Sequence, residues 1–336
     1  MPTGYSLPAD AVWFGKSFPS SVPLFSPLLR SKIDANVHLS QVTGSSSGIG
    51  RAFATHISKS PSPYRLVATA RNASSLDYLP NTPNILKLTL DITSASTIQD
   101  AITRTISHFG RIDIVINNAG YSLVGDTEST TDEQSRAQFE TNFWGAANLT
   151  REAVRVMRED NPKNGQMGGV VIYTSAASAR ATFPGGAYYF ASRFAMDGFL
   201  SSFSQELDPA WNIHLTSALP GGVKTDYFQK SVIFTDRHPA YSDPNLPTSQ
   251  MQAMFTTPGI ADMFPEPEKL VEVIVGMVKD GIGELGIPLR LPLAADAWGM
   301  VKGAEERVLK ELEAVKEVSM RVKPDERGMG LLKDLA

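Results

Sequence analysis

A run of three glycines within seven residues, Gly44, Gly48 and Gly50, constrains this chain more than any other stretch. An extended segment ending at Val42 precedes the run and a helical pattern follows it, which predicts a strand, a tight turn and a helix start. Glycine lets the backbone reverse and lets backbone N–H groups approach a ligand with no Cβ in the way. The free N–H groups at a helix start favour an anion, such as the pyrophosphate of a dinucleotide.

The glycine spacing leaves other interpretations open. It is Gly-x-x-x-Gly-x-Gly, whereas the commoner dinucleotide pattern is Gly-x-Gly-x-x-Gly, so a flexible turn without a ligand is one alternative. Residues 44–48, Gly-Ser-Ser-Ser-Gly, also match the nucleophile elbow of serine hydrolases. That elbow is normally followed by an acid and a late histidine, but the last histidine here is His238, beside a proline. The hydrolase interpretation is therefore disfavoured.

Composition excludes several classes of function. The 336 residues include no cysteine, which excludes disulfides and thiol chemistry, and the five histidines show no metal-ligand spacing. A net charge of −4 offers no basic field for nucleic acid. No apolar run reaches the ~18 residues of a membrane span, and residues 1–4 do not resemble a signal peptide. We therefore expect a cytoplasmic protein with no metal, nucleic-acid or membrane partner.

The first 41 residues are expected to form an N-terminal arm. Two segments compete for the strand that enters the glycine turn: residues 35–41 alternate only weakly, whereas residues 11–14, Ala-Val-Trp-Phe, would make a well-buried strand if they ran directly into Val42. Residues 15–41 are rich in serine and proline, and their opening Gly-Lys-Ser can be encoded by a common intron start. Residues 15–41 are therefore either an unspliced insertion or a proline-rich surface arm.

After the glycine turn, short apolar runs alternate with amphipathic stretches. The pattern predicts strands at 65–70, 84–90, 112–116, 169–173 and 212–216, with helices near 53–57, 98–109, 132–160 and 188–207. Strands separated by helices indicate right-handed crossovers. The predicted fold class is α/β: a single doubly wound parallel-sheet Rossmann-like domain with a C-terminal helical extension. Ligands are then expected at the carboxyl ends of the strands.

Four segments after predicted strands occur in a recognisable order: Thr43-Gly44-x3-Gly48-Ile49-Gly50, Asn117-Asn118-Ala119-Gly120, Tyr189-Phe190-Ala191-Ser192-Arg193 and Pro220-Gly221-Gly222-Val223-Lys224-Thr225. Their order and intervals resemble those of the short-chain dehydrogenase/reductase family. The resemblance implies a dinucleotide-binding core over 42–225, a substrate lid over 226–268 and a C-terminal cap over 269–336 that completes the same domain. It also implies oxidoreductase chemistry on a small-molecule substrate.

The resemblance implies the cofactor as well. In this family an acidic residue at the end of the second strand favours NAD, whereas this chain has Arg71, whose guanidinium can clamp a 2′-phosphate. We therefore expect NADP(H), with a solvated loop charge as the alternative interpretation of Arg71. The expected cofactor contacts are Gly44, Ser46, Gly48, Ile49, Gly50, Arg71, Asp91, Ile92, Asn118, Ala119, Gly120, Tyr189, Arg193, Val223 and Thr225.

The chemistry is expected to depend on Tyr189. Arg193 follows it by four residues and lies on the same helix face, where its charge favours the ionised phenol. Such a phenol can give a proton to a nascent alkoxide, or take one from an alcohol, as hydride passes to or from nicotinamide. Asn142 resembles the family's fourth catalytic position. The alternative for Tyr188 and Tyr189 is an aromatic pair packed between helices.

Two departures from the family pattern bear on activity. Arg193 stands where the family has lysine, and arginine cannot pass on a proton. The family's serine, thirteen residues before the tyrosine, falls on Ala176; Ser175 and Ser178 flank it, and Ser175 is our candidate donor if the strand end bulges. The expected function is an NADP(H)-dependent carbonyl reductase or secondary alcohol dehydrogenase. A nucleotide-binding protein with lost or redirected activity is the alternative.

The segment 226–268 loses regular periodicity and sets methionine and aromatic side chains among prolines. Because such side chains fill irregular apolar pockets, we expect a sizeable apolar substrate of the kind found in secondary metabolism. A lid packed on its own core is the alternative. By resemblance alone, the helices near 132–160 and 188–207 are expected to form a homodimer or homotetramer.

Overall fold

A parallel sheet forms the centre of the molecule in the computed structural model, which describes residues 39–60 and 64–322. The strands are β1 (Leu39–Val42), β2 (Arg65–Ala70), β3 (Ile85–Thr89), β4 (Ile114–Asn117), β5 (Ser122–Val124), β6 (Gly169–Thr174), β7 (Ile213–Pro220), β8 (Val232–Phe234) and β9 (Arg290–Leu293). Seven of them form one sheet in the order β3-β2-β1-β4-β6-β7-β9, and every neighbouring pair is parallel. The predicted α/β doubly wound fold is confirmed.

Helices cover both faces of this sheet. They are α1 (Gly48–Ser58), α2 (Ala95–Phe109), α3 (Asp132–Phe139), α4 (Ala146–Glu159), α5 (Ala187–Glu206), α6 (Tyr227–Lys230), α7 (Pro247–Phe255), α8 (Pro267–Asp280) and α9 (Ala295–Ser319). Apolar side chains of α1 and α8 pack on one face, and those of α2, α4 and α5 pack on the other. Because strand side chains alternate between faces, Ile114 joins the first cluster and Val115 the second.

The helix predicted over 132–160 contains an unexpected turn. Thr131 begins α3 with a capping box in which its hydroxyl accepts from the Gln134 N–H and the Gln134 side chain accepts from the Thr131 N–H. Between α3 and α4 the backbone is π-helical over Glu140–Gly145. Such π turns widen the helix by one residue and occur frequently at functional sites. Hydrophobic periodicity carries no signal for this change, so the sequence predicted one uninterrupted helix.

The first strand, β1, comes from the weaker of the two segments that competed for it. Ser40 and Gln41 are buried in the middle of the sheet. Gln41 lies level with Val67 and Val115 on the flanking strands, and its side-chain amide has no hydrogen-bond partner among the described residues. Ser40 lines a small apolar cavity of about 10 Å³. Residues 11–14 and 15–38 lie outside the described residues, so the predicted insertion stays a hypothesis.

The segment 226–268 is more ordered than its composition indicates. β8 pairs in parallel with β5 to form a second, two-stranded sheet that the sequence did not predict. The segment is also joined to the core by a partly buried ion pair, in which Arg237 Nε donates to the buried Asp126 Oδ2 at 2.7 Å. The same guanidinium donates to Ser249 Oγ and to Gln252 Oε1 of α7, each at 2.9 Å. These contacts of Arg237 join the segment 226–268 to the residues that follow β5.

Aromatic rings of the lid pack against one another and against the core. Phe228 packs edge-on against Phe255 at 5.4 Å and stacks on Phe264 at 6.1 Å between ring centroids. Phe255 in turn contacts Phe183, which precedes α5. Much of the aromatic content of this segment thus packs on its own core. Met254 and Met263 remain exposed.

The C-terminal segment completes the sheet. β9 pairs with residues 217–220 of β7, and α8 packs against α1, the helix that follows the glycine turn. The first turns of α9 contact the fold, but residues 306–322 are exposed on every side. Within the described residues, no helix has the length and apolar character needed to cross a membrane.

Candidate active site

The glycine turn has the geometry of an anion cradle. Gly44 and Gly48 adopt left-handed backbone angles, with φ of +64° and +51°, and a Cβ on Gly50 would lie 2.4 Å from the Gly44 carbonyl oxygen. Ser47 precedes α1 but its side chain makes no capping hydrogen bond. The first N–H groups of this eleven-residue helix therefore stay available for an anion. These residues fit the pyrophosphate of a dinucleotide.

Thr43, which opens the glycine motif but was not among the expected site residues, joins the glycine turn to the loop after β4. The Thr43 hydroxyl accepts from the backbone N–H of Asn118 at 2.8 Å and of Ala119 at 3.1 Å. The Asn118 side chain donates back to the Thr43 carbonyl at 3.1 Å. The loop after β4 is thus held against the loop after β1. In the sequence, residue 43 is marked by its place directly before the first glycine. Its hydrogen-bond partners could not be predicted, because they depend on the order of the strands in the sheet.

Tyr78 supports the glycine turn through a hydrogen bond to its backbone. Its hydroxyl donates to the Ser45 carbonyl at 2.7 Å, and the Arg51 guanidinium lies 4.1 Å from its ring centroid. Burial raises the pKa of Tyr78 to about 12, against the opposing charge of Arg51, so the phenol remains a donor at neutral pH. Arg51 is therefore occupied by a cation–π contact.

Arg71 directly follows β2, Asp91 lies two residues after the neighbouring strand β3, and their charges interact. Asp91 Oδ1 accepts from the Thr93 N–H at 2.9 Å and from the Thr93 hydroxyl at 2.7 Å. These hydrogen bonds, with a smaller contribution from Arg71, hold the pKa of Asp91 below its usual value. Arg71 itself is exposed at the carboxyl edge, where a phosphate can reach it.

The remaining predicted cofactor positions line the same edge or support it. A Cβ on Gly48 would lie 3.7 Å from Thr225, so these two residues face each other across a narrow gap. Ile92 and Val223 are buried in the core, and Ile92 packs under Gly145, where a Cβ would be only 2.3 Å away. Gly120 lies against the guanidinium of Arg193, because a Cβ there would be 2.9 Å from Nη2.

Tyr189 and Arg193 lie one turn apart on α5, as predicted, and both are buried. The guanidinium centre is 5.1 Å from the Tyr189 ring centroid. Burial raises the pKa of the Tyr189 phenol, but the charge and hydrogen bond of Arg193, together with the Ser122 and Ser178 hydroxyls, outweigh it and lower the pKa below its usual value. The phenol is therefore suited to proton transfer.

Ser122, Ser178 and Tyr227 surround the Tyr189 hydroxyl. Ser122 and Tyr227 hydrogen-bond to each other, so the short helix α6 contributes a side chain to this cluster. Burial, and then the charge on ionised Tyr189, raise the pKa of Tyr227, which therefore stays protonated. The surroundings therefore favour ionisation of Tyr189 over ionisation of Tyr227.

Ser175, the candidate donor expected from the sequence, and Ser178 both lie near the end of β6. The Ser178 hydroxyl is among the groups that lower the pKa of Tyr189. Both hydroxyls are buried, and neither has a partner at full hydrogen-bond distance among the described residues. After β6 the chain enters a 3₁₀ turn over Ala177–Ala179, which brings Ser178 back to the site. The sequence places Ser178 two residues after Ala176 but carries no signal for this turn.

Asn142 occupies the π-helical turn and is fully engaged. Its Nδ2 donates to the Tyr121 carbonyl at 2.9 Å and to Ser192 Oγ at 3.1 Å, while its Oδ1 accepts from the Tyr121 N–H at 3.2 Å. Its backbone carbonyl accepts from the Tyr173 hydroxyl at 3.0 Å. Asn142 thus connects β6, α5 and the loop before β5. Within the described residues, no group of three or more histidine, aspartate or glutamate side chains could hold a metal ion.

Comparison with known proteins agrees with this geometry. The family model for short chain dehydrogenase matches residues 40–234. The chain is 38% identical over 320 residues to the oxidoreductase calM of Penicillium decumbens, and this alignment covers 94% of each of the two chains. It is 31% identical over 285 residues to an uncharacterised oxidoreductase of Schizosaccharomyces pombe, covering 85% of this chain and 91% of the relative.

Solved structures share the fold. A short-chain dehydrogenase from Streptomyces avermitilis superposes with a TM-score of 0.73 at 27% identity, covering 86% of this chain and 99% of that one. The family model spans more than half of this chain, and the Penicillium relative aligns over nearly all of it. Together with the parallel sheet and the glycine turn, these matches make the chain an oxidoreductase that belongs to the short-chain dehydrogenase/reductase family.

Proposed function

We propose that this protein is an NADP(H)-dependent carbonyl reductase or secondary alcohol dehydrogenase in which Tyr189 exchanges the proton. The observation that carries the proposal is the buried Tyr189–Arg193 pair, whose electrostatics favour the phenolate, at the same sheet edge as the glycine turn. The nicotinamide cofactor, when bound, supplies or accepts the hydride. The side chains of this protein handle the proton and the charge on the substrate oxygen.

In the reducing direction the Tyr189 hydroxyl gives its proton to the substrate oxygen as that oxygen becomes an alkoxide. Arg193 stabilises the phenolate that remains. Ser178, a buried hydroxyl without a full hydrogen bond, can turn to donate to the same oxygen. We assign Ser178, not Ser175, to the role left open by Ala176.

The proposed choice of NADP(H) depends on Arg71. Its exposed guanidinium, beside the ends of β2 and β3, can pair with a 2′-phosphate through two hydrogen bonds. Arg71→Asp is expected to shift the preference for NADPH over NADH by about 2 kcal/mol, or about 30-fold, because it removes one charged contact and adds repulsion. The measurement is the ratio of dissociation constants from cofactor fluorescence.

Arg104→Asp is the matched control for that experiment, because Arg104 is an exposed arginine on α2, outside the proposed cofactor contacts. It should leave the ratio unchanged. An unchanged ratio in Arg71→Asp would assign the phosphate to other residues and remove the basis for NADP(H) preference.

We propose an apolar substrate enclosed by the lid. The aromatic cluster of Phe183, Phe228 and Phe255 gives the lid an apolar inner side, and Tyr227 brings a hydroxyl from the lid to Tyr189. We also propose a homodimer or homotetramer through α3–α4 and α5, whose outer surfaces carry the exposed side chains Trp144 and Phe194.

Tyr189→Phe tests the proposed function directly. Because general acid–base catalysis contributes about 100- to 10,000-fold, turnover of a ketone panel with NADPH should fall by that factor. NADPH affinity should remain near that of the parent, since Phe keeps the ring packing. Tyr188→Phe is the matched control, because Tyr188 adjoins the site but is not assigned to the chemistry.

If the parent protein binds NADPH yet turns over no carbonyl compound, the oxidoreductase site is inactive and the protein acts through nucleotide binding. Arg193 in place of lysine supports this second function, since a guanidinium cannot relay a proton. Equal activity of Tyr189→Phe and the parent would instead assign the proton transfer to another group.

A further inference from the structure

The charge of Arg193 is held in an unusual way for a buried cation. Arg193 is 5% exposed, and no carboxylate pairs with it among the described ion pairs. Its Nη1 donates to the Tyr173 hydroxyl at 2.5 Å and to the Thr174 carbonyl at 3.3 Å. The guanidinium centre lies 5.4 Å from the Tyr173 ring and 5.1 Å from the Tyr189 ring. Two phenols therefore flank one positive charge.

Tyr173 is fixed on its other side by the π-helical turn. It lies on β6, has no exposed surface, and donates its hydroxyl proton to the Asn142 carbonyl at 3.0 Å. The hydroxyl thus accepts from Arg193 and donates to Asn142 at the same time. A phenylalanine would fill the same space but could do neither.

This arrangement decides which phenol ionises. A Tyr173 phenolate would lose the hydrogen bond to the Asn142 carbonyl, because a phenolate has no proton to donate. Burial also raises the pKa of Tyr173, although the charge of Arg193 opposes this shift. The pKa of Tyr189, by contrast, is lowered. Tyr173 stays neutral, and the charge of Arg193 remains available to Tyr189.

We propose that Tyr173 is a positioning residue that holds the Arg193 guanidinium against Tyr189 and thereby lets an arginine serve where the family has a lysine. A guanidinium is planar and directional, so its effect on Tyr189 depends on orientation more than that of an ammonium group. The Tyr173 hydroxyl supplies that orientation by linking Nη1 to the backbone of Asn142. The kinetic part of this proposal rests on the proposed function, whereas the spectroscopic part does not.

The experiment compares four proteins: the parent, Tyr173→Phe, Arg193→Lys and the double variant. The first readout is the ultraviolet titration of tyrosinate, with Tyr189→Phe subtracted to isolate Tyr189. The pKa of Tyr189 should be higher in Tyr173→Phe than in the parent, because the charge opposite it is less well oriented. Tyr188→Phe controls for the loss of an adjacent phenol.

The second readout is kcat/KM for NADPH-dependent ketone reduction. At pH 7, Tyr173→Phe should lower it by about tenfold in the parent, the equivalent of one charged hydrogen bond of about 1.4 kcal/mol. In the Arg193→Lys background the same change should alter it by less than about twofold, since an ammonium requires no orientation. This non-additivity is the signature of two residues that act as one unit.

A purely structural role for Tyr173 predicts something different: a lower melting temperature, equal losses in both backgrounds and no change in the Tyr189 titration. That result would overturn the proposal. If Tyr173→Phe does not fold, Tyr173→His, whose shorter ring cannot bridge Arg193 and the Asn142 carbonyl, replaces it in the same comparison. A shifted Tyr189 titration without turnover in any variant would support the positioning role and refute the proposed reaction.

Discussion

At the scale of the residue, the Tyr189 phenol depends on a few neighbouring groups, and Ser178 is the one whose removal disturbs the fold least. Its hydroxyl faces the phenol but makes no full hydrogen bond of its own. Ser178→Ala therefore removes stabilisation of the phenolate while leaving no partner unpaired. The effect should appear in the chemistry and not in the stability.

Ser178→Ala should shift the pH profile of alcohol oxidation toward higher pH. Oxidation requires the phenolate, so kcat/KM rises as Tyr189 loses its proton, and a weaker stabilisation of that phenolate raises the pKa of Tyr189. The measurement is kcat/KM against pH with NADP. Ser175→Ala is the matched control, since Ser175 is about as buried as Ser178 but is not assigned to Tyr189, and the opposite outcome would make Ser175 the donor.

Tyr189, Arg193 and Asn142 could be proposed from the sequence because each belongs to a motif with fixed local spacing. The roles proposed for Tyr173 and Ser178 could not be predicted from the sequence. The neighbours of these two residues depend on how β6 ends and on the π-helical turn that carries Asn142. Those features arise from packing between segments far apart in the chain. A single-residue shift of a strand end redirects the side chain to the other face.

At the scale of the element, β1 is a central strand that carries buried polar residues. The Gln41 amide is fully buried between Val67 and Val115 with no hydrogen-bond partner among the described residues. A buried amide without a partner costs about 1–3 kcal/mol. The centre of a doubly wound sheet normally holds branched apolar residues instead.

Gln41→Leu should therefore raise the free energy of unfolding by about 1–3 kcal/mol, measured by urea denaturation. Gln138→Leu is the matched control, because Gln138 is also buried but its Nε2 donates to the Tyr121 carbonyl at 3.0 Å. That change should destabilise the protein. A loss of stability in Gln41→Leu would mean that the amide has a partner after all.

The hypothesis that residues 15–41 are an unspliced insertion makes a separate prediction. In a chain that joins Phe14 to Val42, we expect Trp13 and Phe14 to take the sheet positions of Ser40 and Gln41, so that two aromatic residues replace two polar ones. The joined chain should melt at a higher temperature than the full chain. Lower stability of the joined chain, or messenger RNA that retains these codons, would contradict the hypothesis.

The pattern of apolar runs predicted most strands and helices to within a few residues, because the sheet is buried on both faces and its strands are continuous apolar runs. β1 is the exception, for the reason just given. β5 and β8 were also missed, since a three-residue strand such as Val232–Phe234 has no periodicity to detect. Their pairing depends on where the lid folds back over the core.

At the scale of the whole molecule, the proposed assembly through α3–α4 and α5 can be tested with one substitution. Phe194 lies on α5 and is 39% exposed. In the proposed interface, Phe194→Asp should weaken self-association by at least about 2 kcal/mol, or about 30-fold, because it buries an unpaired charge. Sedimentation velocity over a range of concentrations measures the effect.

Leu312→Asp is the control, because Leu312 is an exposed apolar residue on the free part of α9 and lies outside the proposed interface. It should leave the sedimentation unchanged. A parent protein that sediments as a monomer would refute the proposed assembly, and sensitivity to Leu312→Asp alone would move the interface to α9.

The overall topology followed from the alternation of strands and helices, which admits few arrangements once crossovers are right-handed. Residues 289–292 predict a short strand, but the sequence gives no local signal that this strand is the seventh of the sheet and lies beside β7.

The distance along the chain between β7 and β9 matters while the protein is being made. β7 ends at Pro220 and β9 begins at Arg290, so about 70 residues must be added before the sheet is complete, which at 5–20 residues per second takes roughly 4–14 s. During that time the nascent chain already carries Tyr189 and the glycine turn, but β7 is an open edge. Such an edge can pair with another chain on the same polysome. We therefore expect the yield of folded protein to depend on how fast ribosomes pass through codons 221–293.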